Sequence, residues 1–238
     1  MRLDQRLVEE GFAASRAKAQ ALIIAGVVEV SGVVAAKPGA RANGPIIVTG
    51  DPCPWVSRAG LKLAHALDVF ELEPAGTALD LGASTGGFTQ VLLARGATHV
   101  WAVDVGHSQL HADLATDPRV TNLEGLNARD LPDPDIPQVS WITADLSFVS
   151  LTKVLPAALR HAGPEAHMIV LVKPQFEAGR GRVGKGGIVT DSAVHAQVLE
   201  EISAFIQDLG WYKLGQTDSP VLGGDGNKEF LIAAQNRA

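Results

Sequence analysis

From residue 77 onward, short apolar runs recur at a steady interval, separated by stretches with helical spacing. The runs predicted as strands are Thr77 to Leu81, His99 to Val103, Val120 to Glu124, Val139 to Ala144, His167 to Val172, Trp211 to Thr217 and Glu229 to Ala234. Helical periodicity falls between them at Phe88 to Arg95, Gln109 to Ala115, Leu151 to His161 and Ser192 to Leu209. Strands alternating with helices predict an α/β fold, a Rossmann-like, seven-stranded and mostly parallel sheet covered on both faces. The last two strands are joined by a Pro/Gly loop without a helix, so they are expected to close the sheet as an antiparallel pair.

The first fifty residues follow a different pattern. Leu3, Leu7 and Val8 share a helical face that ends near Gly11, and Ser15 is placed to cap a second helix running to Ala25, with Gly26 as its stop. Val27 to Val30, a Ser31-Gly32 turn and Val33-Val34 then read as a hairpin, followed by a short strand at Ile46 to Val48. This is a small α+β domain over residues 1–50. Two prolines in Asp51-Pro52-Cys53-Pro54 continue neither ladder, so residues 51–56 are expected to be a linker and residues 57–238 the second domain. Ser57 is expected to cap a helix whose Leu61, Ala64 and Leu67 face one way.

Composition narrows the class. With 46% apolar and 19% charged residues, the 238-residue chain has material for a packed core. A single cysteine, Cys53, excludes an intramolecular disulfide framework and suits a reducing cytoplasm. Arg2, Asp4 and Arg6 interrupt what would have to be the apolar core of a signal peptide, and no uncharged apolar stretch approaches the ~18 residues of a membrane span. The formal net charge of −6 is unevenly spread. Residues 1–62 carry eight Lys/Arg against five Asp/Glu, and residues 63–238 carry twelve against twenty-one. A basic head on an acidic body can meet a polyanion with one end only.

Chemistry concentrates after the first strand of the second domain. Asp80-Leu81-Gly82-Ala83-Ser84-Thr85-Gly86-Gly87-Phe88 is a glycine-rich turn opening a helix, where backbone can approach a ligand closely. Its spacing is G-x-x-x-G-G, and the acid Asp80 ahead of the turn suits a cationic amino-acid end better than a pyrophosphate. The next strand ends at Asp104, where a carboxylate receives a ribose diol in such folds. The combination suggests S-adenosylmethionine, with a nicotinamide cofactor and a purely structural glycine turn as alternatives. Asp145 and Lys173 fall just past the fourth and fifth strands, at the ligand-binding edge of an open sheet. Glu229 begins the last strand and Lys62 lies on the helix before the sheet. Each alone reads as a surface charge or ion pair, but together beside a cofactor loop they can handle a proton. The seven histidines show no metal-ligand spacing, so no metal is expected.

Arg2-Leu3-Asp4 with Ser15-Arg16, Ala19 and Gly26 to Val30 resembles the S-four-like RNA-binding domain. Trp55 to Arg58 with Gly60 and Lys62-Leu63, then LDLGASTGGFT, ADLSFVSL, VKPQFE and GNKEF, resemble the TlyA family of ribosomal RNA cytidine 2′-O-methyltransferases, whose catalytic domain is FtsJ-like. The resemblance implies a seven-stranded methyltransferase sheet and a K-D-K-E tetrad of Lys62, Asp145, Lys173 and Glu229. In that reading Lys173 takes the proton of a ribose 2′-OH or stabilises its alkoxide, Lys62 and Asp145 position the hydroxyl, and Glu229 holds Lys173. It implies S-adenosylmethionine contacts from Asp80, Gly82, Ser84, Thr85, Gly86, Gly87, Phe88, Asp104, Asn127 and Asp145. One departure stands out: the family's acid-Arg-Thr-Asn-x-Arg run reads Glu124-Gly125-Leu126-Asn127-Ala128-Arg129 here. The short termini resemble the members acting on a cytidine of the large ribosomal subunit.

Arg2, Arg6, Arg16, Lys18 and Arg41 on the small domain, and Arg58, are expected phosphate contacts for ribosomal RNA within a subunit. Arg180, Arg182 and Lys185, set among glycines, are expected to form a mobile loop that closes over the target nucleotide. Phe176 is placed to pack on an extruded base. Competing readings are a non-catalytic ribosome-assembly factor, a membrane-lytic hemolysin and a nicotinamide oxidoreductase. The absence of a spanning segment and of a basic amphipathic helix argues against the lytic one.

Overall fold

The computed structural model describes residues 1–13, 15–35, 37–50 and 53–237, which form two compact units, Met1–Pro54 and Trp55–Ala238. Asp51 and Pro52 of the expected linker lie outside the described residues. Trp55 and Val56 belong to the second unit.

In the first unit, α1 (Leu3–Glu9) and α2 (Arg16–Ile24) bury Leu3, Leu7, Ala19, Leu22 and Ile23 against Val28 and Ile46. Ser15 caps α2 by accepting from the Lys18 N–H at 3.2 Å, and Gly26 ends it at φ +73°. The chain then forms β1 (Val28–Val30), β2 (Val33–Val34) and β3 (Ile46–Val48), an antiparallel sheet in the order β2-β1-β3. Ser31 and Gly32 both take positive φ in the hairpin turn, the conformation that two-residue connections favour.

The second unit runs α3 (Ala59–Phe70), β4 (Gly76–Leu81), α4 (Gly87–Ala94), β5 (Ala97–Asp104), α5 (Ala112–Ala115), β6 (Val120–Glu124), β7 (Val139–Ala144), α6 (Leu155–Ala158), β8 (Ala162–Val172), α7 (Pro174–Glu177), α8 (Ser192–Asp208), β9 (Trp211–Asp218) and β10 (Phe230–Asn236). The sheet order is β6-β5-β4-β7-β8-β10-β9, with β10 antiparallel to both neighbours and the other pairs parallel. Alternate residues of each strand face opposite sides. Leu79, Ile142, Met168, Val170 and Ile232 pack with α6 and α8, whereas Ala78, Trp141, Ile169, Leu171 and Leu231 pack with α3 and α4.

Three expected helices come out differently. The helix expected from Gln109 shrinks to the single turn of α5, because the N–H groups of Ser108, Gln109 and Leu110 donate to the Glu124 carboxylate and hold that stretch as a loop. The Leu151–His161 helix breaks into α6 flanked by two 3₁₀ turns. Pro156 lacks an N–H, so it is tolerated only in a first helical turn. Ser57 is not a cap: α3 begins after Arg58, and Ser57 contributes its carbonyl to the Gly60 N–H. Gly60, Leu63, Ala66 and Leu67 form the buried face, with Leu61 and Ala64 half-buried. The stripe rotates because Gly60 lies against Trp55 and the Gly87 backbone, where a larger residue has no room.

Candidate active site

Side-chain parity brings the ionisable residues together. Asp145 lies two residues beyond Thr143, Lys173 two beyond Leu171, and Glu229 two before Leu231, so all three fall on the sheet face that carries α3. Lys62 projects from α3 on that face. Its Nζ donates to Glu229 Oε2 at 2.6 Å, and both groups are buried. Lys173 Nζ lies 2.7 Å from Asp145 Oδ1 and donates to Ser147 Oγ at 2.9 Å. Glu229 therefore holds Lys62 rather than Lys173, which corrects the expected pairing. The reason is tertiary: α3 crosses the end of β10, and Asp145 reaches Lys173 from the adjacent β7. A buried ion pair of this kind is costly to break, since the remaining partner is left charged and unsolvated. Asp145 Oδ1 is buried and has no aligned hydrogen-bond donor, so it keeps accepting capacity.

A cavity of about 300 Å³ opens above these groups, lined by Lys62, Gly82, Ser84, Thr85, Phe88, Asp145, Ser147 and Lys173, with Arg58 exposed at its edge. It shares Gly82, Ser84, Asp145 and Ser147 with a larger cavity of about 1130 Å³. That second space runs past Asp104, Gln109 and Asn127 on one side and past Phe148, Gln175 and Phe176 on the other.

The glycine turn separates into ligand-facing and packing positions. Gly82 has φ +79°, and a Cβ there would stand 2.5 Å from the Asp145 carbonyl oxygen, so only glycine fits. Gly86 and Gly87 line neither cavity: a Cβ on Gly86 would meet Leu114 at 2.2 Å, and one on Gly87 the Gly60 nitrogen at 2.9 Å. Both are buried where a side chain has no room, and their backbone forms the N-terminus of α4. Asp80 lies beneath the turn. It is fully buried, accepts from Thr89 Oγ1 at 2.7 Å and Thr143 Oγ1 at 2.8 Å, and lines neither cavity. Burial pushes its carboxyl up to about 6 against the two hydroxyl donors. Its threonine partners tie β4 to α4 and β7.

Asp104 sits at the cavity wall, where its carboxylate accepts from the Ser84 N–H at 2.8 Å and the Gly106 N–H at 2.7 Å. Glu124 accepts from three backbone N–H groups, of Ser108, Gln109 and Leu110, which bring its carboxyl down to about 2. The clamp sets Gln109 against Ser84, whose Oγ donates to Gln109 Oε1 at 3.1 Å. At the departure from the family run, Gly125 takes φ +81° and a Cβ would lie 2.8 Å from His107 Nε2. His107 thus occupies the space a side chain would need. Leu126 and Asn127 both line the larger cavity, and Asn127 Oδ1 accepts from the Arg129 N–H.

Two aromatics line one wall of the larger cavity. Phe148 is 89% exposed at φ +64°, and its ring lies 5.1 Å from the half-buried Phe176. The expected mobile loop is a pair of 3₁₀ turns, Arg180–Arg182 and Lys185–Gly187. Asn227, from GNKEF, accepts from the Val189 N–H and donates to the Gly187 carbonyl, fastening the segment's end. Arg182 donates to the Ala178 carbonyl and Lys185 is exposed; the side chain of Arg180 lies outside the described residues.

In the first unit, Asp4 is sealed from solvent and accepts from Arg2, Arg16 and Gln20 at 2.9–3.1 Å. Arg2, Gln20 and Arg16 hold its carboxyl well below the usual carboxylate range. The two guanidiniums remain about half exposed, prearranged by one carboxylate. Arg6 pairs with Glu10, Lys18 donates to the Cys53 carbonyl at 2.8 Å, and Arg41 is exposed. Among the described residues no cluster of three or more His, Cys, Asp or Glu could hold a metal ion, and no helix is long and apolar enough to cross a membrane.

Sequence reasoning missed Ser147 and Phe148 as cavity-lining residues and Glu124 as the clamp on its loop. Ser147 and Phe148 stand two and three residues past Asp145 in ADLSF, within one loop of a recognised acid, which is a usable signal. The clamp spans fifteen residues and has none.

A single reversed strand in the order β6-β5-β4-β7-β8-β10-β9, with a glycine turn leaving β4, defines a Rossmann-like methyltransferase unit. Residues 55–236 match the FtsJ-like methyltransferase family and residues 1–44 the S4 domain. Over 236 residues the chain is 46% identical to the 16S/23S rRNA (cytidine-2'-O)-methyltransferase TlyA of Mycobacterium tuberculosis, covering 97% of this chain and 88% of that one. It is 41% identical over 237 residues to a protein named Hemolysin A from Brachyspira hyodysenteriae, covering 97% and 98% of the two chains. A solved structure described as a hemolysin from Streptococcus thermophilus aligns with a TM-score of 0.79 at 40% identity, over 99% of this chain and 88% of that one. The chain belongs to the TlyA family, in which an S4 domain precedes an FtsJ-like methyltransferase domain.

Proposed function

We propose that the chain transfers a methyl group from S-adenosylmethionine to the ribose 2′-OH of a cytidine in large-subunit ribosomal RNA. The observation that carries this reading is the Lys173–Asp145 pair at the floor of a cavity that the Gly82 turn also lines. The residues present fit the cofactor. Gly82 leaves room for backbone approach, the N-terminus of α4 has no side-chain cap and suits a carboxylate, and Asp104 suits a diol. When bound, the cofactor supplies a methyl group made electrophilic by its sulfonium.

The protein's own part is positioning and proton handling. The 2′-OH sits against Lys173 Nζ, which Asp145 Oδ1 at 2.7 Å and Ser147 Oγ at 2.9 Å hold in place. As the O–C bond forms and the methyl leaves its sulfonium, Lys173 takes the hydroxyl proton or stabilises the developing alkoxide. Either way the ammonium is held by Asp145 and Ser147. Lys62, kept in place by Glu229, adds positive charge beside the developing alkoxide. Phe148 and Phe176 supply an apolar face for a base turned out of its stack. Arg2, Arg16 and Arg41 contact RNA phosphates without reading sequence.

The test is transfer of labelled methyl from S-adenosylmethionine to ribosomal subunits lacking the modification, with the product ribose mapped. The expected product is 2′-O-methylcytidine in large-subunit RNA. Lys173→Ala is expected to lower transfer at least a hundredfold, with cofactor affinity within about twofold. Methylation of small-subunit RNA as well would widen the substrate, and no transfer to either subunit would overturn the proposal.

A further inference from the structure

The loop that follows β7 carries Asp145, Ser147 and Phe148, and its geometry is unusual. Phe148 is a bulky residue at φ +64° with its ring in solvent, and the segment Asp145–Ser150 contains no glycine to relax the turn. A backbone in that region persists only where its surroundings over-determine it. One end of the loop is fixed by the Asp145 N–H, which donates to the Leu81 carbonyl at 2.9 Å. The other end is held from α7. Glu177 Oε2 accepts from Ser150 Oγ at 2.6 Å and Oε1 from the Leu151 N–H at 2.9 Å. Glu177 lines neither cavity. Its helical turn also carries Phe176, 5.1 Å from Phe148, and begins one residue after Lys173.

We propose that Glu177 is a positioning residue for the target nucleotide: it latches the Asp145–Ser150 loop to the turn after β8, so that Phe148 is presented over Phe176 and Ser147 reaches Lys173. This rests on the function proposed above. Three rungs join the two segments, namely Lys173 to Asp145 and Ser147, Phe176 to Phe148, and Glu177 to Ser150 and Leu151. Only the last touches neither the reaction centre nor the stacking face. Burial raises the Glu177 carboxyl, yet the Ser150 and Leu151 donors favour its charged form. The carboxylate matters because both of its oxygens accept, and an amide offers only one acceptor.

The test uses the full chain as wild type, Glu177→Gln and Ser150→Ala, each alone and combined with Phe148→Ala. Steady-state methyl transfer to large subunits, cofactor affinity by calorimetry and hydrogen exchange of residues 146–151 are measured. Glu177→Gln is expected to raise the KM for the subunit about tenfold, leave the cofactor Kd within twofold, and speed exchange of the loop amides. In the Phe148→Ala background the same change should add less than twofold to KM, because the ring it positions is gone. Ser150→Ala removes one latch bond without altering charge and should shift KM in the same direction by a smaller factor. An unchanged KM in Glu177→Gln, a tenfold effect that survives in the Phe148→Ala background, or a parallel loss of cofactor affinity would each overturn the latch. Wild-type protein that methylates no ribosomal RNA would instead overturn the functional reading, and the latch's role in presenting a nucleotide with it.

Discussion

Asp80 has no solvent exposure, and burial outweighs its donors, the Thr89 and Thr143 hydroxyls and the Thr89 backbone, in favouring its neutral form. Burial pushes its carboxyl up to about 6, from an ordinary 3.8 in the unfolded chain. Between those values the folded state binds more protons than the unfolded one, so this contribution to stability is lost as pH rises from about 4 to 6. Ionised at pH 7, the group costs about 3 kcal/mol. Removing the titration by Asp80→Asn should therefore make the variant gain on wild type as pH rises. The difference in unfolding free energy between the two is expected to move by about 2 kcal/mol from pH 4 to pH 7. Urea unfolding followed by tryptophan fluorescence checks this, since Trp55, Trp101, Trp141 and Trp211 all lie in the second unit. A difference independent of pH would mean that Asp80 stays ionised throughout. The acid itself was legible in the sequence, but its neighbours were not. Thr89 comes from α4 and Thr143 from β7, and only the folded sheet sets both against β4.

At the scale of elements, the strand positions and the mostly parallel sheet followed from apolar runs and punctuating glycines, because burial on both faces leaves few other patterns. The helices were less legible where a side chain outside the element competes for its N–H groups. Glu124 is the clear case, ending β6 and binding the loop that a periodicity count reads as helix. Glu124→Gln halves the accepting capacity for those three donors. It is expected to weaken S-adenosylmethionine binding about tenfold, in line with the loss of one charge-assisted bond. RNA binding measured without cofactor should be unchanged. Calorimetric titration of the cofactor tests this, and an unaltered Kd would place the loop outside the cofactor site.

For the molecule as a whole, charge is divided between the units. The acidic balance beyond residue 62 disfavours a polyanion, while Arg2 and Arg16 are aimed into solvent from a buried carboxylate and Arg41 is exposed. If these residues meet phosphates, the RNA affinity falls steeply with salt. Arg16→Ala combined with Arg41→Ala is expected to lower the slope of log affinity against log salt by about two, with cofactor affinity unchanged. Arg2 and Gln20 remain on Asp4 in that variant, so the buried carboxylate keeps donors. An unchanged slope would move the RNA contacts to other residues.

The sequence by itself determined the α/β class, the mostly parallel sheet, the glycine turn and four ionisable residues at the sheet's ligand edge. Each depends on local pattern: alternation places a side chain on a face, and strand ends place it at the ligand edge. The tertiary structure alone decided which lysine meets which carboxylate, because Lys62 and Glu229 are 167 residues apart and pair only where α3 crosses β10. It also decided that Asp80, Gly86 and Gly87 face inward while Gly82 faces the cavity. The chain's local pattern specifies parity and position, whereas partner choice among buried charges is set by the packing of elements distant in sequence.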